Sequence, residues 1–395
     1  MEIAFLSSHH PRERSMGLSH IVSWIGQYLA RWGHEVSVLY PSFGEAADGL
    51  EDRWEGIRAI GVPTHPRAHL PFGAQLDFSF HASRRVPPTV DIIVANNELG
   101  GRFAMGVPRR TGTPASHGRP VHLATFHGIS ARFLEMGRPL RGRGVRSTLG
   151  FHADDATIRW FEGGGARRAD RCIACSPGVA RDLAGFYRVD PGRIRVILNG
   201  VETATPVAPE ERERARASLG IPPGTFVLSF LARDPWRKGL DVARAAVRLL
   251  REQGLPVLLL NAGNADPPSE GVRTLGVVPE ERKREVLAAS DVFYLPTRYE
   301  GLPAVVQEAA ALGIPTVTTP EANLDGNGDD PGFVEVPGGD VAAHARALAE
   351  LYRDPVLRGR LAQRGRELMG KRSFEQQAQE YLALFEEVLP TRPAR

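Results

Sequence analysis

The sequence predicts two doubly wound α/β units, each a parallel sheet wrapped by helices. Three observations carry this reading. Short apolar runs alternate with longer polar or helical segments along the whole chain, which is the signature of crossover-connected parallel strands. The alternation stops at a Pro- and Glu-rich stretch, Thr203 to Arg214, and then restarts. The length of 395 residues is about twice the ~100–200 of one typical domain.

The elements follow in order. Glu2 to Ser7 is an apolar run that ends in Ser-Ser and reads as the first strand. After a polar loop, Leu18, Ile21, Val22, Ile25, Leu29 and Trp32 recur at helical spacing, and Gly33 supplies the stop. Further strands are expected at Glu35 to Tyr40, Asp91 to Ala95, Val121 to Phe126, Arg171 to Ser176 and Ile194 to Leu198. The interdomain linker is placed in Thr203 to Arg214. Beyond it, strands are read at Thr225 to Leu231, Val257 to Leu260, Val292 to Leu295 and Thr316 to Thr318, with helices at about Leu240 to Glu252, Pro303 to Leu312 and Ala342 to Tyr352. No repeat of solenoid period is present.

Composition narrows the function classes. Apolar residues make up 42% and charged residues 24%, ordinary values for a folded globular chain. Residues 1–200 carry a net +7 and the remainder −4, and only Lys238, Lys283 and Lys371 are lysines. So small an imbalance, without a zinc-finger, RNP-type or basic-helix pattern, argues against a nucleic-acid partner. The longest apolar stretches, such as Leu255 to Leu260, fall far short of the ~20 residues that cross a bilayer, and no signal-peptide pattern opens the chain. A cytoplasmic protein without membrane association is therefore expected. Cys172 and Cys175 form a C-x-x-C spacing, but they fall in a short apolar run and read as core.

Three segments carry candidate chemistry. In Glu300-Gly-Leu-Pro-Ala-Val-Val-Gln-Glu308, two carboxylates bracket a helix start that follows a strand. Pro303 suits the first helical turn, Gly301 permits close backbone approach, and free N–H groups with the helix dipole make an anion site. Spacing alone leaves this reading beside that of a capped core helix with two surface glutamates. The segment Phe230 to Gly239 begins at the carboxyl end of a strand, where ligands of open α/β sheets collect, and Arg233 and Lys238 offer two charges for a phosphate. A solvated helix-start lysine is the alternative there. His127 stands just past an apolar run, where a structural histidine is the commoner outcome.

Together these residues resemble a family 4 glycosyltransferase of the GT-B fold, in which two Rossmann-like domains face each other across a cleft. The resemblance covers nearly the whole chain. Glu300 and Glu308 match its E-x7-E signature, Arg233 and Lys238 its phosphate-binding pair, and Ile197-Leu-Asn-Gly-Val201 the passage into its donor domain. It departs where Met16-Gly17 replaces a frequent glycine pair and Ala232 a glycine. The resemblance implies an acceptor-side domain over 1–200, a nucleotide-sugar domain over 201–372 and a final helix, 373–395, returning to the first. It further implies that Glu300 meets the transferred sugar, Glu308 the ribose, Arg233 and Lys238 the diphosphate, and His127 the sugar near the reaction centre. Gly17 approaches the donor phosphate, and Gly301, Leu302, Pro303 and Ala304 complete the donor site.

The activity so implied is a retaining transfer from a nucleotide-diphosphate sugar, UDP- favoured over GDP-, by front-face displacement. No second carboxylate is evident near His127 to serve as a nucleophile, and no Asp-x-Asp pair suggests a metal, so neither cofactor nor metal is expected. The acceptor is read as a soluble small molecule of specialised metabolism, with a lipid-linked or polysaccharide acceptor as runner-up. Arg132, Arg138, Arg141, Arg143 and Arg146 form a basic segment that Gly137, Pro139, Gly142 and Gly144 keep from being one amphipathic helix. A sugar-nucleotide epimerase and a silent binding protein are the readings from other classes; the E-x7-E pair speaks against the first and the intact site residues against the second. No G-x-G-x-x-G follows the first strand, against an oxidoreductase.

Overall fold

The computed structural model describes residues 1–13, 17–43, 51–65, 73–96, 120–137, 145–202, 204–324 and 332–389, and for 17–19, 73–76 and 145–151 the backbone alone. The chain forms two compact units, 1–200 with 374–395, and 201–373.

In the first unit the elements run β1 Glu2–Leu6, α1 Gly17–Arg31, β2 Glu35–Ser42, β3 Glu51–Trp54, β4 Ile57–Pro63, α2 Gly73–Arg85, β5 Ile92–Asn96 and β6 Val121–Phe126. They continue with α3 Ser130–Gly137, α4 Val145–Arg168, β7 Arg171–Ala174, α5 Pro177–Tyr187 and β8 Ile194–Val196. The sheet order is β3-β4-β2-β1-β5-β6-β7-β8, parallel throughout except for β3, which folds back on β4. The β3–β4 hairpin was not expected. Its strand β3 alternates half-covered and exposed residues at the sheet edge, so it carries no apolar run to announce it.

The helical periodicity read in α1 buries Ile21, Val22, Ile25 and Leu29, and the partner of that face comes from the far end of the chain. Helix α12, Phe374–Val388, supplies Phe374, Ala378, Tyr381, Leu384 and Phe385 to the same core. Phe374 stacks on Trp24 with ring centroids 5.5 Å apart. Gly200 is fixed by this helix, because a Cβ there would come within 2.7 Å of the Phe374 Cα.

The second unit contains α6 Pro209–Ser218, β9 Phe226–Leu231, α7 Leu240–Glu252, β10 Val257–Ala262, β11 Val272–Gly276, α8 Glu280–Ala288 and β12 Val292–Leu295. Then follow α9 Ala304–Ala311, β13 Thr316–Thr318, β14 Phe333–Glu335, α10 Val341–Arg353 and α11 Pro355–Met369. The parallel sheet has the order β11-β10-β9-β12-β13-β14. Consecutive connections therefore run outward from β9 in one direction and then, from β12, in the other. This is the doubly wound order whose switch point, between β9 and β12, opens a crevice at the strand ends.

The linker reading of Thr203 to Arg214 needs correction. Its second half is the start of α6, where Arg212 and Arg216 both pair with Asp291, at 3.1 and 2.7 Å. That carboxylate also accepts the Val227 N–H at 2.8 Å, so a Glu-rich sequence that looked like a solvated connection is pinned to the sheet by its arginines. Strands β11 and β14 were also missed, being partly exposed and short.

Candidate active site

The site in the second unit is built where the strand order reverses. Strand β9, buried at every position, carries the chain into Ala232 to Gly239. Strand β12, also fully buried, carries it into Pro296 to Pro303. The two loops are locked backbone to backbone. Gly239 has φ +80°, and a Cβ on it would collide with the Pro296 carbonyl. The Arg298 N–H donates to the Arg237 carbonyl at 2.8 Å.

This junction brings Lys238 and Glu300 together, with Nζ 2.6 Å from Oε1. The sequence reading had assigned them to different parts of a donor and had not paired them. Arg237 Nη1 donates to the same oxygen at 2.7 Å, and Thr297 Oγ1 stands 3.2 Å away. Both Lys238 and Glu300 are nearly covered, with side chains 12% and 9% exposed. Burial lowers the Lys238 amine from its ordinary range, and the Glu300 carboxylate opposes that shift.

The Glu300 backbone is clamped as well. Its N–H donates to the Glu321 carbonyl at 2.9 Å, and its carbonyl accepts from Asn323 Nδ2 at 2.6 Å. Asn323 adopts the left-handed region, φ +56°, which asparagine tolerates better than most residues. Arg237, Thr297, Glu321 and Asn323 were all missed by sequence reasoning. Residues 325–331, which follow, lie outside the described residues.

Glu308 lies on α9, which begins at Ala304. Pro303 is the cap and not a residue of the first turn, a one-position correction. The N–H groups of Ala304 and Val305 have no acceptor among the described residues, consistent with an anion-facing helix start. Gly301, Leu302 and Pro303 are buried, and Ala304 is exposed. Glu308 Oε2 lies 2.7 Å from Lys283 Nζ on α8, which also reaches Glu280 at 2.5 Å. Burial pulls the Lys283 amine down, but the two carboxylates outweigh it and raise it. Arg233 is exposed just past the end of β9.

His127 and Gly17 belong to the first unit. His127 follows β6, its ring nitrogens are covered, and the Asn199 side chain stands beside it. Burial pushes its imidazole down to about 4, with Asn199 opposing, so it is neutral at physiological pH. In the same unit, the fully buried Glu162 on α4 accepts the Ser130 N–H at 3.2 Å and holds the start of α3. Gly17 is the first residue of α1.

Other candidates do not join the site. Cys172 donates to the Ala166 carbonyl at 3.3 Å, and burial pushes its thiol up to about 12, which suits a core residue. Arg138, Arg141 and Arg143 lie outside the described residues. A groove of about 960 Å³ runs along α7, but its Arg244, Arg248 and Arg251 are each paired with a neighbouring carboxylate.

Two family descriptions match the chain: Glycosyltransferase Family 4 over residues 17–205 and Glycosyl transferases group 1 over 225–354. A D-inositol 3-phosphate glycosyltransferase of Rhodococcus erythropolis (strain PR4 / NBRC 100887) is 30% identical over 326 residues, 75% of this chain and 69% of the relative. The chain belongs to glycosyltransferase family 4. Its GT-B fold is shared with sucrose-phosphate synthase from Thermosynechococcus elongatus, at a TM-score of 0.77 and 22% identity over 98% of this chain and 99% of that one. Anabaena Alr3699/HepE in complex with UDP is also similar, with a TM-score of 0.70 and 17% identity over 98% and 100% of the two chains. As a family 4 glycosyltransferase, the protein presents its E-x7-E glutamates each beside a lysine. Among the described residues no cluster of His, Cys, Asp and Glu is arranged to hold a metal, and no helix is long and apolar enough to cross a membrane.

Proposed function

We propose that this glycosyltransferase moves a hexose from a nucleoside diphosphate sugar, UDP- favoured over GDP-, to a soluble small-molecule acceptor of specialised metabolism, retaining the anomeric configuration. The observation that carries the reading is the pairing at Glu300. One carboxylate oxygen is held by two cations, which fixes the group so that its other oxygen would accept from sugar hydroxyls. Arg233 and Lys238 stand at the carboxyl end of β9, where a diphosphate would gain two charge-assisted contacts. Glu308, one helical turn into α9, would accept from the ribose hydroxyls. The roles of His127 and Gly17 rest on the family resemblance.

In this reaction the bond between the anomeric carbon and the diphosphate oxygen breaks. The acceptor oxygen bonds to the same face of that carbon, and the acceptor proton passes to the departing diphosphate. The protein's main contribution is to stabilise the charge that grows on the leaving group. The names of the inositol 3-phosphate and sucrose-phosphate relatives support a small, soluble acceptor, and the HepE complex supports uridine. The test is a thermal-shift comparison of UDP, GDP, ADP and dTDP, since a ligand at 100 times its Kd adds ~2.7 kcal/mol. It is followed by NMR of the product anomer formed with and without EDTA. An inverted product, or complete magnesium-reversible loss with EDTA, would refute the mechanism.

A further inference from the structure

Arg237 belongs to none of the family positions matched above, yet it is the most firmly held cation at Glu300. Its Nη1 donates to Glu300 Oε1 at 2.7 Å and to the Tyr299 carbonyl at 3.2 Å. Its own N–H donates to Asp234 Oδ1 at 3.1 Å, and its Nε lies 3.3 Å from Asp234 Oδ2. Its carbonyl accepts from the Arg298 N–H at 2.8 Å and lies 3.2 Å from Thr297 Oγ1. A side chain and backbone tied at this many points cannot follow a ligand.

Lys238 is different in kind. It reaches Glu300 on four flexible methylenes with a single ammonium that has three protons to give. Two cations on one buried carboxylate oxygen are one more than that carboxylate needs, and their mutual repulsion is part of what lowers the Lys238 amine. Asp234 relieves Arg237 only partly, because its carboxylate is half exposed and screened by solvent.

We propose that Arg237 is a positioning residue that keeps Glu300 Oε1 neutralised and fixed, which frees Lys238 to turn its ammonium to the donor diphosphate without releasing the sugar-binding carboxylate. The Arg-Lys pair is then a division of labour: the rigid guanidinium serves Glu300 and the mobile amine serves the leaving group. This rests on the assignment of Glu300 to the sugar and Lys238 to the diphosphate.

The test compares Arg237→Gln, Arg237→Lys, Lys238→Ala and Glu300→Gln for UDP affinity by calorimetry, for kcat and for thermal stability. With Arg237→Gln, UDP affinity stays within about threefold while kcat falls about 10- to 100-fold, the scale of one charged hydrogen bond. Arg237→Lys restores part of kcat. A merely structural arginine would lower thermal stability without splitting kcat from UDP affinity. A parallel loss of UDP affinity and kcat in Arg237→Gln would make Arg237 a phosphate ligand, and unchanged kcat would deny it any role; either result overturns the proposal. If Lys238→Ala leaves UDP affinity intact, or Glu300→Gln leaves kcat intact, the underlying assignment fails, and it fails independently of Arg237.

Discussion

Lys283 Nζ lies 2.7 Å from Glu308 Oε2, as Lys238 Nζ lies 2.6 Å from Glu300 Oε1. Two of the chain's three lysines thus each face one glutamate of the E-x7-E pair. In a chain that otherwise uses arginine, each of these glutamates is met by the compact, flexible cation.

The Glu308 end should govern nucleotide affinity. Glu308→Gln is expected to weaken UDP and the UDP-sugar alike, by about 10- to 100-fold, as loss of a charged hydrogen bond to an unchanging part of the donor would. Lys283→Met should weaken both by less, in the same ratio. Calorimetry against UDP and 2′,3′-dideoxy-UDP checks this: both penalties should shrink with the analogue that lacks the hydroxyls.

The Glu300 end should govern turnover. Glu300→Gln is expected to lower kcat about 100-fold at neutral pH. It also removes the carboxylate that opposes the burial of Lys238, so Lys238 loses its proton at lower pH than in the parent. UDP affinity followed from neutral to alkaline pH should therefore decline earlier in the variant. Superimposable profiles would show that Lys238 does not contact the diphosphate.

Gly239 should tolerate no side chain. Gly239→Ala adds a Cβ that meets the Pro296 carbonyl at φ +80°, where an L-residue is already strained by about 1–3 kcal/mol. Lower thermal stability together with lost UDP binding is expected. A variant that melts with the parent and binds UDP normally would show the junction to be pliable.

Much of this site was legible in the sequence, for identifiable reasons. Glu300, Glu308, Arg233 and Lys238 lie within two short segments, each following a largely apolar strand, so local pattern placed the segments at strand ends. Arg237 and Thr297 gave no signal, because their meaning depends on two segments some 60 residues apart meeting at Gly239 and Pro296. Lys283 was equally silent until α8 and α9 were seen side by side. The doubly wound order followed from apolar runs, whereas β3, with its alternating exposed residues, and α6, dressed in Glu and Arg, lacked the apolar signal on which such reading depends.

His127 supplies a prediction for acid stability. Burial holds its imidazole at about 4 in the fold, below the ~6.5 of an exposed histidine. Between those values the unfolded chain binds the extra proton, so the stabilisation is complete above pH 6.5 and is lost as pH falls towards 4. The loss is on the order of 3 kcal/mol. Urea unfolding at pH 7 and pH 4.5 should show a smaller acid penalty in His127→Gln than in the parent.

The last helix has a consequence for how the protein is made. Because Phe374, Tyr381 and Phe385 complete the core under α1, the unit that leaves the ribosome first is the one that finishes last. The 173 residues of 201–373 can fold on the nascent chain while the earlier unit still exposes the apolar face of Ile21, Ile25 and Leu29. At roughly 5–20 residues per second, that face, made about 340 residues before its partner helix, waits about 20–70 s for it, a window in which a chaperone would find it.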